Sequence, residues 1–150
     1  GLYDEGVEGG MLEEMERRQR ALLIYDTNVL GRVPNAMRIV VPRPGGGWEG
    51  RGSMHTAWQK SKGDFVEVRT KKPKWNPRME AWTMDFKGRA KLASKKNFIL
   101  TDPDDEDERV LMLFGKMTKN RWSLDYAPPL NPIECLFVAV TAFSSKMAVT

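Results

Sequence analysis

The sequence predicts a mostly β fold, built of antiparallel strands with a hydrophobic helix at its C-terminal end. Short apolar or alternating segments recur every ~10–15 residues along the middle of the chain, with polar turns between them, as in a meander, sandwich or barrel. After Pro128-Pro129 the character changes: from Ile133 to Phe143 only Glu134 and Thr141 are polar. A helix that is apolar on nearly every side must be surrounded. At ~22 Å for about 15 residues it is too short to span a bilayer, so the expected surround is protein, and a sheet wrapped around a central helix would supply it.

The elements follow in order. Residues 1–16 are rich in Gly and Glu without a clean period and read as an acidic flexible segment. The run Ala21-Leu22-Leu23-Ile24-Tyr25 is a strand ending in the turn residues Asp26-Thr27-Asn28, and 36–41 is a second strand closed by Pro42. Residues 43–52 hold Gly45, Gly46, Gly47 and Gly50 and form a loop; 54–60 fits a short helical turn. In 64–70, Phe65, Glu67 and Arg69 fall on one face and Val66 and Val68 on the other. Residues 80–86 alternate with Trp82, Met84 and Phe86 together, and 121–126 with Trp122, Leu124 and Tyr126. Residues 91–101, containing Phe98-Ile99-Leu100, are a further strand, and 110–114 is continuously apolar, as a strand buried on both faces would be. Asn131 is placed to cap the helix at 133–147, with Pro132 at the first helical position, where its missing N–H costs nothing.

Composition narrows the function. The chain has 150 residues, 41% hydrophobic and 29% charged, which fits one domain or part of one. Its first 30 residues carry no basic, then apolar, signal-peptide pattern. With one cysteine, Cys135, no internal disulfide forms, which favours a reducing compartment; with one histidine, His55, a His/Cys zinc site is not expected. A Ser-His-Asp or Cys-His arrangement would need His55, which stands in a polar stretch, while Cys135 falls on the apolar helix. Gly45-Gly46-Gly47 is followed by Trp48-Glu49 and lacks the Lys and Ser/Thr of a phosphate loop. No enzyme, cofactor or metal is expected. The acidic run at 102–108 has six acids in seven residues, but neither the spacing nor the glycine of a calcium loop, and reads as a solvated hairpin.

The net charge of +4 is unevenly spread. Residues 1–16 hold six acids and no base, 17–50 six bases and two acids, 51–101 thirteen bases and four acids, and 102–109 six acids and one base. A basic middle bounded by acidic blocks suits an anionic partner, either nucleic acid or a phosphoinositide membrane surface; a solvated basic face fits the same numbers.

Phe86-Lys87-Gly88-Arg89 followed by Ala93-Ser94-Lys95-Lys96-Asn97-Phe98 resembles the first signature of the tubby C-terminal domain, and Phe143-Ser144-Ser145-Lys146-Met147-Ala148 resembles the second. Asp26-Thr27-Asn28-Val29-Leu30-Gly31, Pro73-Lys74-Trp75-Asn76, Phe114-Gly115-Lys116 and Asp125-Tyr126 match in order around and between them. The resemblance implies an antiparallel tubby-type barrel around its C-terminal helix. Residues 17–150 correspond to roughly the C-terminal half of that domain, so the expected partners include the N-terminal half of the barrel. The chain departs from the family at its end, Ala148-Val149-Thr150 standing for Ala-Cys-Glu, and in the volumes of Leu136 and Phe137.

The resemblance also implies a function: binding phosphatidylinositol 4,5-bisphosphate, and so tethering a signalling or trafficking adaptor to the cytoplasmic face of the plasma membrane, with release to the nucleus as an associated behaviour. By position before the Asn-Val-Leu-Gly motif, Arg17 aligns with a basic headgroup contact of the family, with Arg18 next to it. A guanidinium fork suits phosphate. A second basic surface is expected at Lys87, Arg89, Lys91, Lys95 and Lys96, of which all but Lys96 would share one face of a strand. The alternative function is a nucleic-acid-binding, transcription-regulatory module using the same surface. Lys71-Lys72-Pro73-Lys74-Trp75 fits docking on nucleic acid or a membrane interface; the family match instead makes Trp75 a packing residue.

Overall fold

In the computed structural model, residues 19–25 and 36–147 are described. Among these residues eight strands and two α-helices follow in order: β1 (Leu22–Tyr25), β2 (Met37–Pro42), α1 (Met54–Lys60), β3 (Phe65–Thr70), β4 (Lys74–Asn76), β5 (Ala81–Thr83), β6 (Phe98–Thr101), β7 (Val110–Thr118), β8 (Arg121–Tyr126) and α2 (Pro132–Met147), with a 3-10 turn at Lys62–Asp64 before β3. Six of the strands form one open sheet in the order β1-β2-β3-β6-β7-β8, and β4-β5 form a separate hairpin. Every pairing is antiparallel.

The alternation decides what each face carries. Val66 and Val68 of β3 turn toward the main core, with Met37, Ile39 and Val41 of β2 and Leu100, Leu111 and Phe114 of the later strands. Helix α2 seals this face with Cys135, Val138 and Ala139, a spacing that puts all three on one stripe of the helix. Phe65 and Val40 point the other way, where Met54 and Trp58 of α1 cover them. Strand β2 is therefore buried on both faces. An aromatic row runs from Phe98 through Phe114 and Trp122 to Phe143 on the helix, Phe114 and Trp122 being stacked at 4.8 Å.

Helix α2 starts on a reciprocal cap. The Glu134 N–H donates to Asn131 Oδ1 at 2.8 Å and the Asn131 N–H to Glu134 Oε2 at 3.3 Å. Its surround differs from expectation. The open sheet covers one side only, and on the other Ile133, Leu136, Phe137 and Val140 are 54–59% exposed. Six strands in an open sheet present a single face, and a helix offers only about one stripe to it.

Three local expectations change. Of the strand expected over 91–101 only Phe98–Thr101 pairs, because the Lys91 and Leu92 N–H groups bond to Lys116 in a loop and the chain turns again at Ser94–Asn97. The strand expected over 80–86 is confined to Ala81–Thr83, because Asp85 Oδ1 accepts the Lys87 N–H at 2.8 Å and Lys87 turns to φ 51°, which ends extended pairing. Its partner β4 was not expected from the sequence: it is three residues long, between Pro73 and Pro77, too short to show a period.

Candidate functional site

Residues 84–97 carry the sequence signature, and they form a loop docked across β7 and β8. The Lys91 and Leu92 N–H groups both donate to the Lys116 carbonyl, at 2.9 and 3.0 Å. The Lys116 N–H donates to Asn97 Oδ1 at 2.8 Å, and Asn97 Nδ2 to the Leu92 carbonyl at 2.9 Å. Ser123 Oγ donates to the Arg89 carbonyl. The loop lies so close that a Cβ on Gly115 would stand 2.5 Å from the Arg89 carbonyl oxygen and 2.7 Å from Ala90 Cβ. Two motifs thus explain each other: the Gly of Phe114-Gly115-Lys116 admits the chain of Phe86-Lys87-Gly88-Arg89.

The expected basic surface lies on this loop, with a geometry unlike a strand face. The Arg89 guanidinium forks onto Asp125, Nε to Oδ2 at 2.7 Å and Nη2 to Oδ1 at 3.0 Å. Hydrogen bonding to Asp125, then its charge, raises the Arg89 pKa further. Arg89 is therefore matched by a carboxylate. Lys96 Nζ sits 4.1 Å from the centre of the Phe143 ring and ties the loop to α2. Lys87, Lys91 and Lys95 are exposed. The shared face is lost because the segment turns at Lys87 and Gly88, both at positive φ, so alternation does not govern where its side chains stand.

Arg17 and Arg18 lie outside the described residues. The chain they lead into lines a cavity of about 410 Å³ formed by Gln19, Arg20, Arg43, Trp48, Glu49, Asn131 and Glu134 among others. Gln19 organises one wall: its Oε1 accepts the Met54 N–H at 2.7 Å and its carbonyl accepts Trp48 Nε1 at 3.4 Å. Arg43 is held by the Gly63 and Phe65 carbonyls. Glu134 closes the other wall. Burial raises its carboxyl above the ordinary 4.5, opposed by bonds with Asn131 and the charge of Arg20. The sequence reading missed Arg20 and Arg43 as members of one site. Arg20 belongs to the basic run at 17–20, and that run was the available signal; Arg43 is more than twenty residues away.

The remaining candidates have ordinary surroundings. His55 is exposed on α1, beside Trp58 and Gln59. Cys135 is 1% exposed, and burial, then the Glu134 charge, pushes its thiol up to about 11. Among the described residues no group of His, Cys, Asp or Glu is arranged to hold a metal. In the acidic loop, Asp102 and Asp105 accept backbone N–H groups of the same loop, and Arg109 and Lys71 lie near its ends. No helix among the described residues is long and apolar enough to cross a membrane.

Comparison with known proteins places this arrangement. The family model described as "Tub family" matches residues 7–145. The chain is 32% identical to Tubby-related protein 3 of Mus musculus over 98% of its own length and 35% of the relative's. It is 34% identical to Tubby-related protein 1 of Homo sapiens, over 88% of the chain and 26% of the relative. It is 30% identical to Protein king tubby of Drosophila sechellia, over 90% and 33%. The chain spans about a third of the length of these curated relatives.

Proposed function

The chain belongs to the Tub family, and from that membership we propose that it is a non-enzymatic phosphoinositide-binding module. In this reading it recognises phosphatidylinositol 4,5-bisphosphate and tethers its parent, a signalling or trafficking adaptor, to the cytoplasmic face of the membrane. The observation that carries the reading is the family match over residues 7–145; Arg17 enters as the position that the sequence resemblance aligns with a basic headgroup contact. The uneven charge supports it: nineteen bases face six acids across residues 17–101. The structure adds a cavity of mixed lining beside β1, reached three residues after Arg17, with Arg20 and Arg43 in its wall.

The mechanism is electrostatic. A doubly phosphorylated headgroup carries several charges on adjacent oxygens, and guanidinium forks meet them with charge-assisted hydrogen bonds. Arg17 makes the principal contact available in this chain, with Arg18 beside it. Lys87, Lys91 and Lys95 contribute longer-range attraction, about 1 kcal/mol for each base held near an anionic surface. Arg89 and Lys96 contribute less, being engaged by Asp125 and Phe143. The N-terminal half of the family domain completes the headgroup pocket.

Vesicle co-sedimentation tests the assignment. Arg17→Ala is expected to weaken binding to vesicles containing phosphatidylinositol 4,5-bisphosphate about fivefold, the effect of one base near the surface, while Lys119→Ala changes it little. Equal effects remove Arg17 from the site. Tight binding to duplex DNA with a steep salt dependence, and indifference to the lipid headgroup, would favour the nucleic-acid reading instead.

A further inference from the structure

The β4–β5 hairpin is built like an element that enters the surface of a membrane. It stands apart from the main sheet as its own two-stranded unit, anchored at its foot where the Lys71 N–H donates to the Ile99 carbonyl at 2.8 Å. Trp75 and Trp82 lie directly opposite each other. Their rings meet edge to face at 5.6 Å, yet Trp75 remains 51% and Trp82 44% exposed. At the tip, Met79 is 65% exposed, the most open of the large hydrophobic side chains in the described residues. The tip is held in shape by Asn76 Oδ1, which accepts the N–H groups of Arg78 and Met79 at 3.0 and 3.3 Å. This ordering of an apolar tip is costly in water and calls for an occupant.

Charge identifies the occupant. Behind the tryptophans a groove of about 350 Å³ is lined by Lys71, Lys72 and Lys74, with Thr83, Met84 and Asp85. Lys71 lies 3.9 Å from Glu108, while Lys72 and Lys74 have no ion-pair partner among the described residues. At ~3.3 Å per residue, Lys74 stands roughly 10 Å behind the turn that forms the tip and Lys72 roughly 16 Å behind it. The Lys74 separation matches the depth to which apolar side chains of surface-bound elements enter the acyl boundary, ~5–10 Å, and Lys72 falls further out, among the headgroups. Tryptophan favours the interface between. The two rings are closed on each other, leaving no slot between them for a nucleic-acid base, and an exposed Met79 gains nothing from a polyanion. Glu80 at the tip is offset by the neighbouring Arg78.

We propose that the β4–β5 hairpin is a membrane-contact site, with Met79, Trp75 and Trp82 entering the interface of an anionic bilayer and Lys72 and Lys74 holding lipid phosphates. It extends the membrane reading above but recognises charge rather than a particular inositol ring. The full chain as Met79→Cys carries an environment-sensitive fluorophore at residue 79; Cys135, buried with its thiol pushed up to about 11, stays unlabelled at neutral pH. A second sample carries the label on Phe137→Cys, on the exposed face of α2. Vesicles of phosphatidylcholine and phosphatidylserine without phosphoinositide are added. The expected result is a blue-shifted, brightened emission at 79 that nitroxide-labelled lipid quenches. Lys72→Ala with Lys74→Ala should lower the partition coefficient about thirty-fold, the effect of two bases at about 1 kcal/mol each. Unchanged emission at 79 overturns the proposal, as does membrane burial at 137 with 79 left in water, or a response at 79 to duplex DNA and none to vesicles. Loss of the inositide preference alone would strike the headgroup assignment and leave the hairpin standing.

Discussion

Gly115 is the position where a single methyl group should do the most local damage. It lies within β7, paired with Ser123, at a backbone conformation open to any residue. Local preference therefore favours Ala, since Gly weakens a strand interior. Tertiary geometry opposes it. The added carbon would stand 2.5 Å from the Arg89 carbonyl oxygen, 2.7 Å from Ala90 Cβ and 3.0 Å from Ala90 Cα, and two of these three atoms are backbone or carbonyl. They cannot yield by a rotamer change. Relief requires the loop to lift, which stretches the bonds from Lys91 and Leu92 to Lys116 and from Ser123 to Arg89. Overpacking of this kind costs about 1–3 kcal/mol, and at about 2–4 °C per kcal/mol for a chain of this size the melting temperature should fall by about 2–12 °C. Gly63→Ala serves as the control, because a Cβ there meets nothing within 4 Å; it should be neutral or slightly stabilising. Circular dichroism melts of both variants check this. A Gly115→Ala chain that melts at or above the parent's temperature would refute the docking of the signature loop on β7.

The other predictions concern α2. Glu134 has its carboxyl pKa raised by burial, so the folded state holds its proton to higher pH than the unfolded chain does. That contribution is complete below the ordinary 4.5 and is lost as pH rises through the raised value. Glu134→Gln should therefore raise stability at pH 7 and flatten the dependence above pH ~4.5; urea midpoints across that range check the sign. The face formed by Ile133, Leu136, Phe137 and Val140 should bind a hydrophobic dye and promote aggregation of these 150 residues. Leu136→Lys with Phe137→Ser should at least halve the dye signal, leaving the far-ultraviolet spectrum unchanged.

The strands that alternate were legible because one face of each is buried. Phe65 and Val68 sit in different clusters, as their parity requires. The helix and its Asn131 cap were legible because the capping residues are neighbours in sequence. What could not be read is what distant segments build together. The hairpin of β4 and β5 depends on three-residue strands. The cavity joins residues near 20, 43–50 and 129–134, and no local pattern ties them. Counting by twos misplaced the bases of the signature loop, since Lys87 and Gly88 turn it out of the extended form. The identity of the signature was plain; that it docks on Gly115 and lends Arg89 to Asp125 required the fold.

The most direct test of the central claim is binding to vesicles matched in surface charge, one set carrying phosphatidylinositol 4,5-bisphosphate and the other phosphatidylserine alone, at physiological salt. A headgroup-reading module binds the first set more tightly, by at least tenfold, and Arg17→Ala narrows the difference. Equal affinity for the two sets, falling together as salt rises, would contradict it and leave only a basic surface attracted to charge.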